Sequence, residues 1–351
     1  MWDILYSIIS ILIIIVGVLI SIAFFTLVER KLLAAMQRRK GPNVVGLFGI
    51  LQPLVDGLKL LVKELVFPSS ANRFLFRISP VITFILSLLV WVIVPFNYNS
   101  FLAEFEIGML YILAISSMNV YGILLSGWSS NSKYPFLGAL RSTAQMISYE
   151  ISVSLIILIV ISYCNSFKLI DIVVSQTNVW NIIPFSWLFL IFCSIGLAET
   201  NRHPYDLPEA EAELVAGYNT EYSGMKFALF SLSEYGHMLL MSCLITILFL
   251  GGWNGFFLLS NLTFIPNIFW FVIKFIVFVL FFIYARAALP RYRYDQLMDL
   301  GWKVYLPIVS VFFWFHYSII NIFETNNVKN YFTKFSRIDN TCFCFGWILV
   351  F

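Results

Sequence analysis

The residues most suited to chemistry lie in one stretch, AETNRHPYDLPEAEAELVAGYNTEY, which runs from Ala198 to Tyr222. It carries Glu199, Asp206, Glu209, Glu211, Glu213 and Glu221, and Glu234 follows a little further on. Crowded carboxylates raise one another's proton affinity, so part of such a set can hold and pass protons. Asp206 with Glu209 three residues later has the spacing of a capping box, and Pro208 suits a first helical turn. Glu209 and Glu213 would then share a face as repelling i, i+4 neighbours. A plain solvated acidic loop is the competing reading. A chain this poor in other charges favours proton handling.

Three further ionisable residues fall in or at the edge of apolar runs: Glu150, Glu234 and Lys274. A charge at mid-bilayer costs roughly 2.5–3.5 kcal/mol on insertion scales, so such groups face water or partners and mark a pathway. The alternative is a structural Glu–Lys pair that fixes helix packing. A cationic set, Arg286, Arg291 and Arg293, precedes Asp295 and Asp299 and is interleaved with Tyr292, Tyr294 and Trp302. Arg291 and Asp295 would pair at i, i+4 if that segment is helical. With Arg30, Arg39 and Arg202 these arginines either anchor span ends or orient a polar head group entering from the membrane.

Other chemistries are missing from the pattern. His203, His237 and His316 are too scattered for a metal site, with His316 read as a packed histidine. Cys342 and Cys344 lack a zinc or cluster spacing, and five cysteines give no disulfide framework. There is no glycine-rich nucleotide fingerprint and no P-loop. The chain therefore holds no redox centre, and any electrons come from a partner.

The elements that must position these groups are membrane spans. Of 351 residues, 60% are hydrophobic and 12% charged, against about 25% charged in soluble domains. A net charge of +3 does not suggest nucleic acid. The first apolar run is too long for a signal-peptide core and reads as a retained span. Heavy use of Phe and Ile fits an AT-rich organellar genome. Apolar runs long enough to cross hydrocarbon occur at Ile4–Val28, Ile78–Phe96, Ile107–Trp128, Met146–Tyr163, Ile182–Ala198, Phe227–Leu250, Phe264–Ala285 and Val304–Phe323. The expectation is an all-α membrane protein, a bundle of eight transmembrane helices.

Loops around 29–77, 128–145, 199–226 and 286–303 then share one side and hold 17 of the 22 Lys and Arg residues. The positive-inside rule places that side in the cytoplasm or matrix, with both termini opposite. Within the first of these loops Gln52, Asp56, Lys59 and Lys63 follow helical spacing, and Leu51, Leu54, Val55, Leu58, Leu61, Val62 and Leu65 cover the other face. That is an amphipathic helix lying in the membrane interface. Residues 1–323 form the polytopic domain; the tail 324–351 carries no recognisable motif.

Several long motifs resemble one family, membrane subunit 1 of NADH:ubiquinone oxidoreductase, respiratory complex I. They are VERKLLAAMQRRKGPN from Val28, GLFGILQPLVDGLKLLVKE from Gly46, GWSSNSKYPFLGALRSTAQMISYE from Gly127, LAETNRHPYDLPEAEAELVAGYNTEYSGMKFALFSLSEY from Leu197, and ARAALPRYRYDQLM from Ala285. The resemblance implies a quinone-binding and coupling subunit of the mitochondrial inner membrane, joined to hydrophilic-arm quinone-site subunits and small membrane-arm subunits. Ubiquinone would be the substrate, entering from the lipid, with flavin and iron–sulfur clusters in partner subunits. By matching position, Glu29, Arg30, Arg39, Asp56, Lys59, Arg202, Arg286, Arg291 and Arg293 would surround the quinone chamber. Glu150, Glu199, Asp206, Glu209, Glu211, Glu213, Glu221, Glu234 and Lys274 would form the proton path. His203, Lys226 and His237 depart from the family's usual small or uncharged residues. The rivals are the matching subunit of a plastid or hydrogenase-type complex, a stand-alone cation/proton antiporter, and an inert membrane anchor. No internal repeat of the kind an antiporter would show is evident.

Overall fold

The structure is a computed structural model describing residues 2–98, 105–206, 216–255 and 266–325. Described side chains begin at Ile9 and end at Ile320. Among the described residues every regular element is helical. The α-helices are α1 (Trp2–Met36), α2 (Gln52–Val62), α3 (Arg73–Leu89), α4 (Gly108–Ser130), α5 (Lys133–Cys164), α6 (Leu169–Ser175), α7 (Ser186–Glu199), α8 (Met225–Phe249), α9 (Asn267–Ala288), α10 (Tyr294–Asp299) and α11 (Leu306–Thr325). Among the described residues seven helical stretches are long and apolar enough to cross a membrane, so the chain is a multi-pass membrane protein.

Three boundaries differ from the hydropathy reading. The fifth span, expected at Ile182–Ala198, is the 14-residue α7; at 1.5 Å per residue it covers only about 21 Å of a hydrocarbon layer about 30 Å thick. It is lengthened by a non-helical turn, where Asn181 Nδ2 donates to the Leu248 carbonyl at 2.9 Å and Ile182 N to the Phe249 carbonyl at 3.0 Å. Second, most of the loop expected at 128–145 is helix. α5 is 32 residues long, and its first turns carry Lys133, Arg141, Ser142, Thr143 and Gln145. These polar residues lower the hydropathy, yet Ser142, Thr143 and Gln145 are buried against the bundle. Glu150, expected at the start of a span, therefore sits just past the middle of α5. Third, helix begins again at Tyr294 rather than Val304: α10 runs through a π-helical stretch, Leu300–Tyr305, into α11.

α8 is the axis of the bundle. It packs against α1, α3, α7 and α9, and from Met238 to Phe249 every side chain is buried. α1 and α11 are the least buried spans and present Ile, Leu, Val and Phe outward, as lipid-facing helices do. Ser and Thr are frequent inside the spans. Thr83, Ser87, Ser126, Ser152 and Ser233 are buried, and hydroxyls such as that of Ser233 donate to the carbonyl three residues back at 2.7 Å. Such back-bonding satisfies a hydroxyl without a distant partner. α2 docks on α1 and has no buried residue, leaving Leu54, Leu58, Leu61 and Val62 uncovered.

Small residues set the close approaches that hold the site's elements together, as is usual where hydrophobic burial drives nothing between helices in lipid. A Cβ on Gly122 of α4 would lie 2.3 Å from the Thr83 methyl of α3. A Cβ on Gly138 of α5 would lie 2.7 Å from Gly217 Cα and 3.0 Å from Tyr218 N, in the turn that leads to α8. That neighbour is backbone and has no rotamer by which to move aside. Gly138→Ala is expected to destabilise the fold by about 1–3 kcal/mol through overpacking. A lowered thermal midpoint of the assembled protein checks this, with Gly17→Ala, whose Cβ would meet nothing within 4 Å, as the silent control.

Candidate functional site

The loop after α7, the last turn of α9 and the charged end of α1 meet at one carboxylate. Glu29 of α1 is 2% exposed. Its Oε1 accepts from both Arg202, in the loop after α7, and Arg286, at the end of α9. Its Oε2 accepts from the Tyr235 hydroxyl of α8 at 2.9 Å. The Arg202 guanidinium also lies 5.3 Å from the Tyr235 ring centroid. Burial disfavours the charge on Arg202, but the facing Glu29 carboxylate outweighs it and pushes the arginine's pKa up. Arg202 is therefore a permanent cation, held rigidly.

A second cluster lies beside it. Asp206, 5% exposed, is 3.1 Å from His203 Nε2 and 3.4 Å from Arg291 Nη2. Arg291 Nη2 also lies 3.2 Å from His203 Nε2. The His203–Pro204 peptide is cis, and the Pro204 carbonyl accepts from Tyr292 N at 3.1 Å. Tyr205 stacks on Tyr292 with centroids 5.6 Å apart, and its hydroxyl lies 3.4 Å from that of Tyr305 in the π-helical stretch. Burial and the neighbouring tyrosines push the Tyr205 phenol far up, so it stays neutral. These stacked tyrosines form an apolar-faced wall under the Asp206–Arg291 pair. The expected Arg291–Asp295 pair is not formed. Residues 289–293 are extended rather than helical, Arg291 reaches Asp206 instead, and Asp295 meets Arg293 at 3.3 Å on the surface.

A third, exposed pair joins α1 to α2: Arg30 to Asp56 at 2.6 Å, with Gln52 Nε2 donating to Asp56 Oδ1 at 2.9 Å. Lys59 is exposed one turn further along α2, and Arg39, past the end of α1, contacts Gln37.

Deeper in the bundle α3, α4, α5, α7 and α8 enclose a polar cavity. It offers ≈ 20 Å³ to the centre of a water molecule, and its lining includes Thr83, Asn119, Met146, Glu199, Tyr218, Glu234 and His237; that is room for a water. The Tyr218 hydroxyl donates to Glu234 Oε1. Glu199 lies within charge range of Glu150 on α5, which in turn lies against Ser116 of α4. Lys274 is elsewhere. Its ammonium donates to the carbonyls of Leu250 at 2.6 Å, Gly252 at 3.1 Å and Asn254, and sits 4.3 Å from the Trp180 ring. The alternative of a Glu–Lys pair is not realised, because backbone carbonyls at the far end of the bundle satisfy the lysine.

The sequence matches the NADH dehydrogenase family over residues 9–317. The chain belongs to that family. It is 58% identical over 295 residues to the Arabidopsis thaliana protein named NADH-ubiquinone oxidoreductase chain 1, covering 84% of this chain and 91% of that one. It is 56% identical over 294 residues to the like-named protein of Cyanidium caldarium, covering 84% and 86%. It is 55% identical over 306 residues to a protein of Paramagnetospirillum magneticum named as a subunit of NADH-quinone oxidoreductase, covering 87% and 89%.

For this member of the NADH dehydrogenase family the structure brings several of the expected site residues together. Glu29, Arg202 and Arg286 form one cluster, Asp206 and Arg291 a second, Arg30 and Asp56 a third; Glu199 and Glu234 line the cavity, with Glu150 within charge range of Glu199. Arg293, Lys59 and Arg39 are exposed and apart, Lys274 is at the opposite end, and Glu221 is part-exposed just before α8. Glu209, Glu211 and Glu213, with the capping box expected at Asp206 and Glu209, lie outside the described residues. Sequence reasoning missed Tyr235, Tyr218 and Asn119. Tyr235 adjoins a singled-out glutamate, but nothing in the spacing pairs it with Glu29, 206 positions away.

The Glu29 cluster makes a sharp prediction. Glu29→Gln removes the carboxylate shared by Arg202 and Arg286 and leaves buried positive charge uncompensated. It is expected to cost roughly 3–5 kcal/mol, read as loss of assembled protein or a strongly lowered thermal midpoint. Asp56→Asn breaks only an exposed pair and is expected to cost about 0–1 kcal/mol by the same measurement.

Proposed function

We propose that this chain is the quinone-binding and coupling membrane subunit of a proton-pumping NADH:ubiquinone oxidoreductase of the mitochondrial inner membrane. One observation carries the reading. Charged clusters on one side of the membrane, built on Asp206–Arg291 and Glu29–Arg202–Arg286, stand at the head of the helices that enclose the acidic cavity of Glu199 and Glu234. A structural anchor would have no reason to bury Glu29, Asp206 and Glu199 in one bundle.

In this reading ubiquinone enters from the lipid and its head group is reduced beside the charged loops. Electrons arrive, in this reading, from flavin and iron–sulfur clusters held by partner subunits.

Glu29, Arg30, Arg39, Asp56, Lys59, Arg202, Arg286, Arg291 and Arg293 surround the chamber in this reading, but in two capacities. Glu29, Arg202 and Arg286 hold one another and fix the wall, with one positive charge left over. Arg30, Arg39, Lys59 and Arg293 are exposed and set the potential that the head group meets. Asp206 is the hinge between chamber and path. Reduction places negative charge on the quinone oxygens, and that charge competes with Asp206 for Arg291 and His203. That competition frees Asp206 from its partners. The acids of the funnel, Glu209, Glu211, Glu213 and Glu221, then pass the change to Glu199, Glu150 and Glu234, with Lys274 at the far end. Such coupling requires that the oxidised and reduced quinone interact differently with Arg291.

The test uses the complex isolated from its own membrane. The reading requires that the chain co-purify with flavin- and cluster-bearing subunits; a functional transporter isolated alone would sink it. In the assembled complex Glu234→Gln is expected to lower quinone-linked proton pumping at least about tenfold, in the range for loss of a placed proton carrier. NADH oxidation by an artificial acceptor that bypasses the quinone is expected to stay at the wild-type rate. Unchanged pumping in this variant would remove Glu234 from any relay.

A further inference from the structure

The acidic cavity has one titratable wall residue that the proposed path does not use. His237 lies three residues beyond Glu234 on α8, so the two side chains project from the same face of the helix. Its Nε2 is buried and meets no protein partner, and the ring lines the cavity. The same is true of Glu199 Oε2 and of the Oδ1 atoms of Asn119 and Asn201. Asn119 is 5% exposed, and it belongs to α4, a different helix. A buried polar atom without a hydrogen bond costs about 1–3 kcal/mol. Four of them round one small cavity are therefore arranged for a shared guest, and a water of 2–4 hydrogen bonds is the guest that fits.

We propose that His237, acting through a water held in this cavity, carries protons between Glu199 of α7 and Glu234 of α8. The inference rests on the relay reading above and deepens it. A neutral imidazole has one lone pair and one N–H, so it can take a proton and give one back without leaving a net charge. When Glu199 releases a proton to the water, Nε2 takes one from that water; when Glu234 is ionised, the ring returns it by the same water. The sum is one proton moved from the Glu199 carboxyl to the Glu234 carboxylate, with imidazole and water restored.

The surroundings supply both ends of that transfer. The Tyr218 hydroxyl donates to Glu234 Oε1 and holds that carboxyl at one oxygen, while Glu199 keeps a buried Oε2 with no protein partner. α3 and α4 present only uncharged groups, Thr83 and Asn119. A histidine that merely filled space would need no orphaned nitrogen in a cavity that two glutamates also line.

The experiment compares His237→Asn with wild type in the assembled complex reconstituted into liposomes. Asparagine keeps a hydrogen-bonding side chain and cannot titrate. NADH-driven, quinone-linked proton uptake is expected to fall at least about tenfold, and its pH profile to lose the limb that histidine protonation supplies. Artificial-acceptor activity, which bypasses the quinone, reports that the complex is intact. A coupled rate and pH profile that superimpose on wild type would overturn the proposal. If His237→Asn does not assemble, His237→Ser, which opens space for a further water, is read by the same two measurements and the same criteria. Glu234→Gln in parallel separates the two readings: loss there with an intact His237→Asn sinks only the histidine, while an intact Glu234→Gln sinks the relay itself.

Discussion

The burial of Glu29 is the constraint on which the charged side of this protein depends. A carboxylate at the membrane end of α1 can be shut away from water only if positive charge is shut away with it. Arg202 and Arg286 supply that charge from two other elements, and the Tyr235 hydroxyl fills the remaining acceptor site. Three spans and the loop after α7 are thus tied at one point. The tie contributes little net stability, because desolvating three charges offsets most of their attraction. What it provides is position: none of the four elements can shift without exposing or orphaning a charge. The Asp206–Arg291 pair hangs from that fixed frame, since Asp206 follows Arg202 by four residues and Arg291 follows Arg286 by five.

The two charge clusters differ in the freedom they leave, and that difference suits different work. Glu29 is saturated by two guanidiniums and a hydroxyl. Asp206 has one oxygen, Oδ2, near His203 and Arg291 at the longer distances of 3.1 and 3.4 Å, while its Oδ1 is buried and without a protein partner. A loosely held carboxylate responds to a new charge nearby; a saturated one does not. The stacked rings of Tyr205 and Tyr292 adjoin the pair in sequence on both sides, so aromatic packing flanks it. Under the proposed function, a site that answers to a substrate's charge would use one rigid and one compliant cluster, and this side of the bundle carries one of each.

Much of this is legible in the sequence, and the failures have physical causes. Seven of the expected spans coincide with apolar helices because hydropathy measures what lipid selects. Hydropathy reads α5 and α10 short because it cannot tell a polar residue in a loop from one buried in a polar seam; Ser142 and Gln145 are of the second kind. The acidic stretch announces itself by density, and Glu150 and Glu234 by their place in apolar runs. Their partners do not. Tyr235 on Glu29, and Asn119 lining one cavity with Glu199, bring together helices far apart in sequence, and no periodicity within one helix encodes them. The Arg291–Asp295 spacing misleads because it assumes a helix where the backbone is extended.

Lys274 shows why charge alone does not identify a path. Its ammonium is met by three backbone carbonyls from the turn after α8, which ends its helix there and leaves those oxygens without amide donors. A cation so placed completes a helix terminus, and any part it takes in proton movement must begin by breaking those bonds. At the cavity the opposite holds. Glu199, Asn119 and His237 each keep a buried polar atom with no protein partner, so a proton or a water can change places there without first dismantling the fold. The protein therefore has fixed charge at both ends of the bundle and unsatisfied, exchangeable polar groups between them. That order lets a charge event at one side be felt within the membrane while the helices keep their positions.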